Sequence, residues 1–132
     1  MNDVIETILA KQTFAVVGAS ANTEKFGYKV WDTLRKHGKT AFAVNPNATE
    51  IDGEEVFPTL SDLPKKPDVV VAVVPPSVTE TLPTTLALYK IGYLWLQPGT
   101  ESAKAVTDAE AKGITVIHGG TCILVELRSR GV

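Results

Sequence analysis

Residues 69–74 constrain the fold more than any other part of this chain: five valines and an alanine, with no polar position among them. A run so short and so uniformly apolar is a strand covered on both faces, since a solvated face would call for alternating polar residues. Strands of this kind sit in parallel sheets, whose neighbours are joined by crossover helices. Residues 14–17 and 41–44 repeat the pattern, and residues 93–96 and 114–117 complete a set of five.

The stretches between these runs carry helical spacing. In residues 26–37, Val30, Trp31 and Leu34 recur toward one side, and Gly38 stops the helix. Residues 78–90 form a helix pattern with Pro83 early enough to be tolerated, and the alanine-rich residues 102–112 end at Gly113. A short helix through about Ala10, capped by Asn2 or Asp3, puts Val4, Ile5, Ile8 and Leu9 on one face. Residues 121–128 are assigned to a last short helix and residues 61–63 to one helical turn. Residues 45–59, rich in Asn, Pro, Asp and Gly, read mostly as loop, with 55–57 compatible with an extended stretch. The expectation is a single α/β domain over residues 1–132: a Rossmann-like, doubly wound parallel sheet of five strands in the order 3-2-1-4-5. A ligand of such a sheet binds beyond the carboxyl ends of the strands, where the order reverses between strands one and four.

Charge and composition exclude several partners. The chain has 13 Lys and Arg against 15 Asp and Glu, a formal net charge of −2, with the cations scattered. That leaves no electrostatic footprint for nucleic acid or for a membrane surface. No apolar segment approaches the roughly 20 residues of a membrane span. The acidic, amphipathic start lacks the basic head and apolar centre of a signal peptide, and the lone Cys122 makes no internal disulfide. A cytoplasmic protein is expected.

Candidate site residues fall just after the strands. Gly18, Ala19 and Ser20 follow the first, with Lys25 and Gly27 at the start of the next helix. Gly18 permits a tight turn, small neighbours admit a ligand to the backbone, and free amides at a helix start favour phosphate. Lys25 adds a charge-assisted contact. The spacing is not that of the dinucleotide fingerprint, and a tight turn without a ligand explains the same residues. After strand two, Asn45, Pro46 and Asn47 stand where an NAD site carries Asp or Glu for the ribose hydroxyls. Asn45 retains hydrogen-bonding capacity toward a ribose or an adenine edge, and an Asx-Pro turn is the plainer explanation. After strand three, Val74, Pro75 and Pro76 offer a rigid apolar wall to a flat base or a flexible chain, with Ser77 as a helix cap. After strand four, Gln97, Pro98 and Gly99 bring small, rigid backbone toward the same crevice.

Catalytic candidates are few. His37 suits a helix end, where a cation meets the dipole. His118 follows strand five at the carboxyl edge without an identifiable partner, and Cys122 reads as a small packed residue. No metal-ligand spacing is present in the sequence.

Together V-V-G-A-S, V-N-P, V-V-P-P and W-L-Q-P-G, in this order over residues 14–128, resemble the small CoA-binding domain proteins. These in turn are similar to the CoA-binding domain of the succinyl-CoA ligase alpha subunit. The resemblance implies coenzyme A phosphates at Gly18, Ala19, Ser20, Lys25 and Gly27. It also implies an adenosine-phosphate contact at Lys39, a crevice lined by Val74, Pro75 and Pro76, and pantetheine near Gln97–Gly99. The Gln-Pro pair departs from the ligase form. No activity follows from the resemblance: the ligases carry a phosphorylatable histidine in a second domain, outside the region of likeness.

The leading expectation is therefore binding of coenzyme A or an acyl-CoA without intrinsic catalysis, as a homodimer or beside an acyl-CoA enzyme. Two alternatives stand next to it: an NAD(P)-binding oxidoreductase-like or regulatory domain, which Asn45 disfavours, and a non-binding scaffold.

Overall fold

The computed structural model describes residues 3–130. Asn2, one of the two expected caps, lies outside them; Asp3 stands in the first turn of α1 (Asp3–Leu9). The strands are β1 (Thr13–Val17), β2 (Thr40–Val44), β3 (Glu50–Ile51), β4 (Glu54–Phe57), β5 (Val69–Ala72), β6 (Tyr93–Leu96) and β7 (Thr115–Ile117). They form one seven-stranded sheet in the order β3-β4-β2-β1-β5-β6-β7. All neighbours are parallel except the β3–β4 hairpin. No helix among the described residues is long and apolar enough to cross a membrane.

Strand number and order correct the sequence-based expectation. The valine run pairs with β1 on one edge and β6 on the other, instead of flanking β2. All four residues of β5 are buried, as a strand covered on both faces and both edges demands. The outer edge of β2 is taken by β4, whose Glu54 and Glu55 are exposed while Val56 is buried. The other side of β4 is covered by the two-residue β3, so the sheet ends on a very short strand, which resists further pairing. With β4 counted, the parallel strands run 3-2-1-4-5-6, and the reversal lies between β1 and β5.

Strand alternation divides the core into two layers. Phe14, Val16, Val69, Val71 and Trp95 face α1, α2 (Phe26–Lys36) and α6 (Ile123–Ser129). Ala15, Val17, Val70, Ala72, Leu94 and Leu96 face α4 (Leu82–Leu88) and α5 (Ala103–Ala111). The buried Trp residues keep their indole donors satisfied: Trp31 Nε1 donates to Ala41 O and Trp95 Nε1 to Thr121 O. His37 closes α2 with Nδ1 3.0 Å from Thr33 O and Nε2 3.0 Å from Leu127 O of α6.

The expected helix at residues 78–90 is two helices, α3 (Pro76–Thr79) and α4. Pro83 lacks an amide hydrogen and stands in the first turn of α4, so the chain breaks before it. Pro75 is the N-terminal flanking residue of α3 and Pro76 its first residue, so Ser77 lies inside the helix and does not cap it.

The hairpin outside β2 turns through Asp52 and Gly53, both at positive φ (50° and 81°), as a two-residue Asp-Gly turn requires. Asp52 Oδ2 accepts a hydrogen bond from the Tyr28 hydroxyl at 2.6 Å, tying the hairpin to α2. This bond, with burial and nearby carboxylates, pushes the Tyr28 phenol up to about 12 from 10.0. The unfolded chain gives up that proton first, so stabilisation present below pH 10.0 is lost as pH rises toward about 12. Tyrosinate absorbance should show a late-titrating step at about 12 that vanishes in Tyr28→Phe and moves down in Asp52→Asn. An unchanged titration curve in Tyr28→Phe would contradict this assignment.

Candidate functional site

Parallel register brings the carboxyl ends of the strands level. Val17 pairs with Val44 and Ala72, Ala72 with Leu96, and Val44 with Phe57. The ladder then runs one residue further: Gly18 N donates to Val44 O, Val73 N to Val17 O, Asn45 N to Phe57 O and Gln97 N to Ala72 O. Loops leaving these strands are thus held by backbone bonds at their first residue.

Gly18 separates two hollows. On the α4 side lies a cleft of about 640 Å³, walled chiefly by Val44, Pro46, Leu60, Val74, Pro75 and Val78 and rimmed by Leu88 and Tyr89. Toward the start of α2 lies a hollow of about 400 Å³ lined by Ser20, Glu24, Lys25, Phe26 and Gly27. Gly18, Asn45 and Val73 border both. The rim of the cleft is unusually apolar for solvent-facing positions: Leu88 is 71% exposed, and Val78 and Tyr89 are each 40% exposed.

Backbone packing, more than ligand approach, accounts for the two glycines. Gly18 has φ +98°, and a Cβ there would lie 2.1 Å from Val73 O. A Cβ at Gly27 would lie 2.0 Å from Gly18 O. The first turn of α2 therefore rests directly on the β1 loop. Ala19 is fully buried in the core beneath it, its side chain away from the crevice. Residues 20–24 form consecutive side-chain turns: Ser20 Oγ accepts Asn22 N, and Asn22 Oδ1 accepts Glu24 N. Helix α2 has no acidic residue in its first turn and Arg35 and Lys36 in its last. Its amino end therefore presents a positive partial charge, with the Lys25 side chain beside it.

Other predicted site residues are placed elsewhere. Pro75 lines the cleft, whereas Pro76 does not. Lys39 is at the opposite, amino edge of the sheet, just before Thr40, which pairs with Thr13. Its Nζ donates to Leu9 O and Lys11 O, both at 2.6 Å, and burial lowers its pKa. It secures the end of α1 and is too far from the crevice to touch an adenosine phosphate there. Gln97 is 3% exposed and structural: Oε1 accepts Ile123 N at 2.7 Å and Nε2 donates to Cys122 Sγ at 3.3 Å. Neither Pro98 nor Gly99 lines either hollow. His118 is exposed after β7, beside a different hollow shared with Glu101 and Ser102. Glu101 spans the loops after β6 and β7, accepting Gly99 N at 2.9 Å and Gly120 N at 3.0 Å. Burial would raise its pKa, but these backbone donors outweigh it and hold the carboxyl below its ordinary value. Sequence reading missed Leu60, Val78, Leu88 and Tyr89; Leu60 is half-buried, and the other three are marked only by apolar character at solvent-facing positions.

A doubly wound sheet with its crevice at the strand-order reversal defines a Rossmann-like domain. Residues 12–128 match the family described as the CoA binding domain, and the chain belongs to that family. The ADP-forming acetate–CoA ligase I of Archaeoglobus fulgidus is 34% identical over 71 residues, which is 54% of this chain and 10% of the ligase. The chain thus spans about a tenth of that relative's length. A conserved hypothetical protein of Pyrococcus furiosus superposes with a TM-score of 0.81 at 36% identity, over 87% of this chain and 98% of the other. A hypothetical protein of Pyrococcus horikoshii OT3 gives a TM-score of 0.90 at 27% identity, over 98% and 91% of the two chains.

Proposed function

We propose that this chain binds coenzyme A or an acyl-CoA in the crevice around Gly18. The supporting observation is the meeting, at one glycine, of an apolar cleft and a helix start where the amides of Ser20, Phe26 and Gly27 have no acceptor among the described residues. Coenzyme A has both characters in one molecule, a flat adenine and a diphosphate joined through a ribose. Membership of the CoA binding domain family supports the same ligand.

In this reading the diphosphate lies at the amino end of α2, against the amides of Ser20, Phe26 and Gly27 and the ammonium of Lys25. The adenine lies in the cleft between Leu60 and Pro75, shielding Val78, Leu88 and Tyr89 from water. The pantetheine arm leaves across the end of β5. Thioester chemistry falls to a partner: the chain is a holder of coenzyme A for an acyl-CoA enzyme, a role its likeness to part of an acetate–CoA ligase supports.

The test is thermal. Coenzyme A at a hundred times its dissociation constant should stabilise the protein by about 2.7 kcal/mol and raise its melting temperature by several degrees. Dephospho-CoA and NAD at equal concentration should raise it less. A larger shift with NAD, or no shift and no calorimetric heat with millimolar coenzyme A, overturns the proposal. Native mass spectrometry reports, in one spectrum, whether coenzyme A is retained and whether one or two copies of the chain travel together.

A further inference from the structure

Asn45 occupies the position where related sheets carry an acid for the ribose, yet both polar atoms of its side chain are engaged within the protein. Nδ2 donates to Ala19 O at 2.7 Å, and Oδ1 accepts from Asn47 N at 2.8 Å. These partners fix the orientation of the amide, because one only accepts and the other only donates. An aspartate would keep the bond from Asn47 and lose the bond to Ala19, setting two acceptor oxygens against each other. An amide in place of the acid thus has a cause inside the protein.

The consequence falls on the phosphate end of the crevice. No peptide among the described residues is cis. In a trans peptide the carbonyl and the following N–H point in opposite directions. Holding Ala19 O toward Asn45 therefore turns Ser20 N–H away from it, and among the described residues that N–H has no protein acceptor. The two preceding peptides are fixed too: Gly18 N donates to Val44 O at 2.9 Å, and the Gly18 carbonyl is packed beneath Gly27. We infer that Asn45 is a positioning residue for the phosphate loop: it sets the Ala19–Ser20 peptide so that Ser20 N–H meets a diphosphate. It does not itself read the ribose. This rests on the coenzyme A reading above and adds that the second strand supplies loop order instead of sugar recognition.

Calorimetry on the full chain with coenzyme A, inorganic pyrophosphate and adenosine tests the inference. Asn45→Ala should weaken coenzyme A and pyrophosphate about five- to tenfold, the worth of one hydrogen bond, and leave adenosine within about twofold. Asn45→Ser, whose hydroxyl can keep the turn to Asn47 without reaching Ala19 O and adds no charge beside the phosphate, should give the same pattern where Asn45→Ala does not fold. Equal weakening of adenosine and coenzyme A would mean that the side chain reads the ribose, and would overturn the inference. So would an unchanged affinity for coenzyme A. Failure of the natural chain to bind coenzyme A is a separate result, seen before any variant is made, and defeats the functional reading together with this one.

Discussion

Gly18→Ala should lower the melting temperature by about 10–15 °C or abolish folding, a loss of about 3–4 kcal/mol. Two costs act together. The backbone at Gly18 has φ +98°, which a side chain disfavours, and the new Cβ would lie 2.1 Å from Val73 O. That oxygen belongs to backbone held by the bond from Val73 N to Val17 O, so it has little freedom to retreat. Gly27→Ala tests the steric cost by itself: no positive φ is required there, but its Cβ would lie 2.0 Å from Gly18 O. Gly99→Ala tests the conformational cost by itself, at φ +92° with nothing within 4 Å, and should lose only about 1 kcal/mol. Thermal melts of the three variants check the ordering. A Gly18→Ala melt within about 3 °C of the natural protein would show that the loop has room, and that helix–strand packing does not dictate its glycines.

That ordering also shows where sequence alone reaches its limit. A glycine after a buried strand was legible as a tight turn, but not as a contact with Val73, 55 positions away, since β5 adjoins β1 only in the folded sheet. A sheet covered on both faces was legible because uninterrupted apolar runs and helical spacing are local signals. Strand order was less so, because periodicity says that a strand is covered and not which edge it takes. Residues 50–57 hid a hairpin: its Asp52-Gly53 turn is a strong local signal, but the flanking strands are short and Glu50, Glu54 and Glu55 obscure any apolar run. Long-range hydrogen bonding was not legible at all. Gln97 and Lys39 each looked available for a ligand, and each is engaged by backbone groups contributed from 25 or more residues away. Asn45 was legible as a departure from an acidic position, and the fold supplies the cause through Ala19 O.

Ser20→Asp should weaken coenzyme A about a hundredfold while leaving the fold intact. Ser20 Oγ accepts only the Asn22 amide at 3.0 Å, and an aspartate carboxylate can accept the same bond in an Asx turn. Local structure is therefore preserved, and what changes is charge at the wall of the hollow beside α2. A carboxylate about 5 Å from a phosphate, at an effective dielectric constant of about 20, opposes binding by about 3 kcal/mol. That energy corresponds to a factor of about a hundred in affinity. Adenosine has no phosphate and lies in the apolar cleft in the proposed pose, so its affinity should be unaffected. Salt should narrow the gap between the variant and the natural chain, because partly exposed charges are screened. Calorimetric titrations of both ligands at low and high ionic strength separate these cases. Coenzyme A bound by Ser20→Asp within about threefold of the natural affinity would put the diphosphate elsewhere. Equal losses for adenosine and coenzyme A would instead mean that the substitution distorts the crevice, and the charge argument would fall.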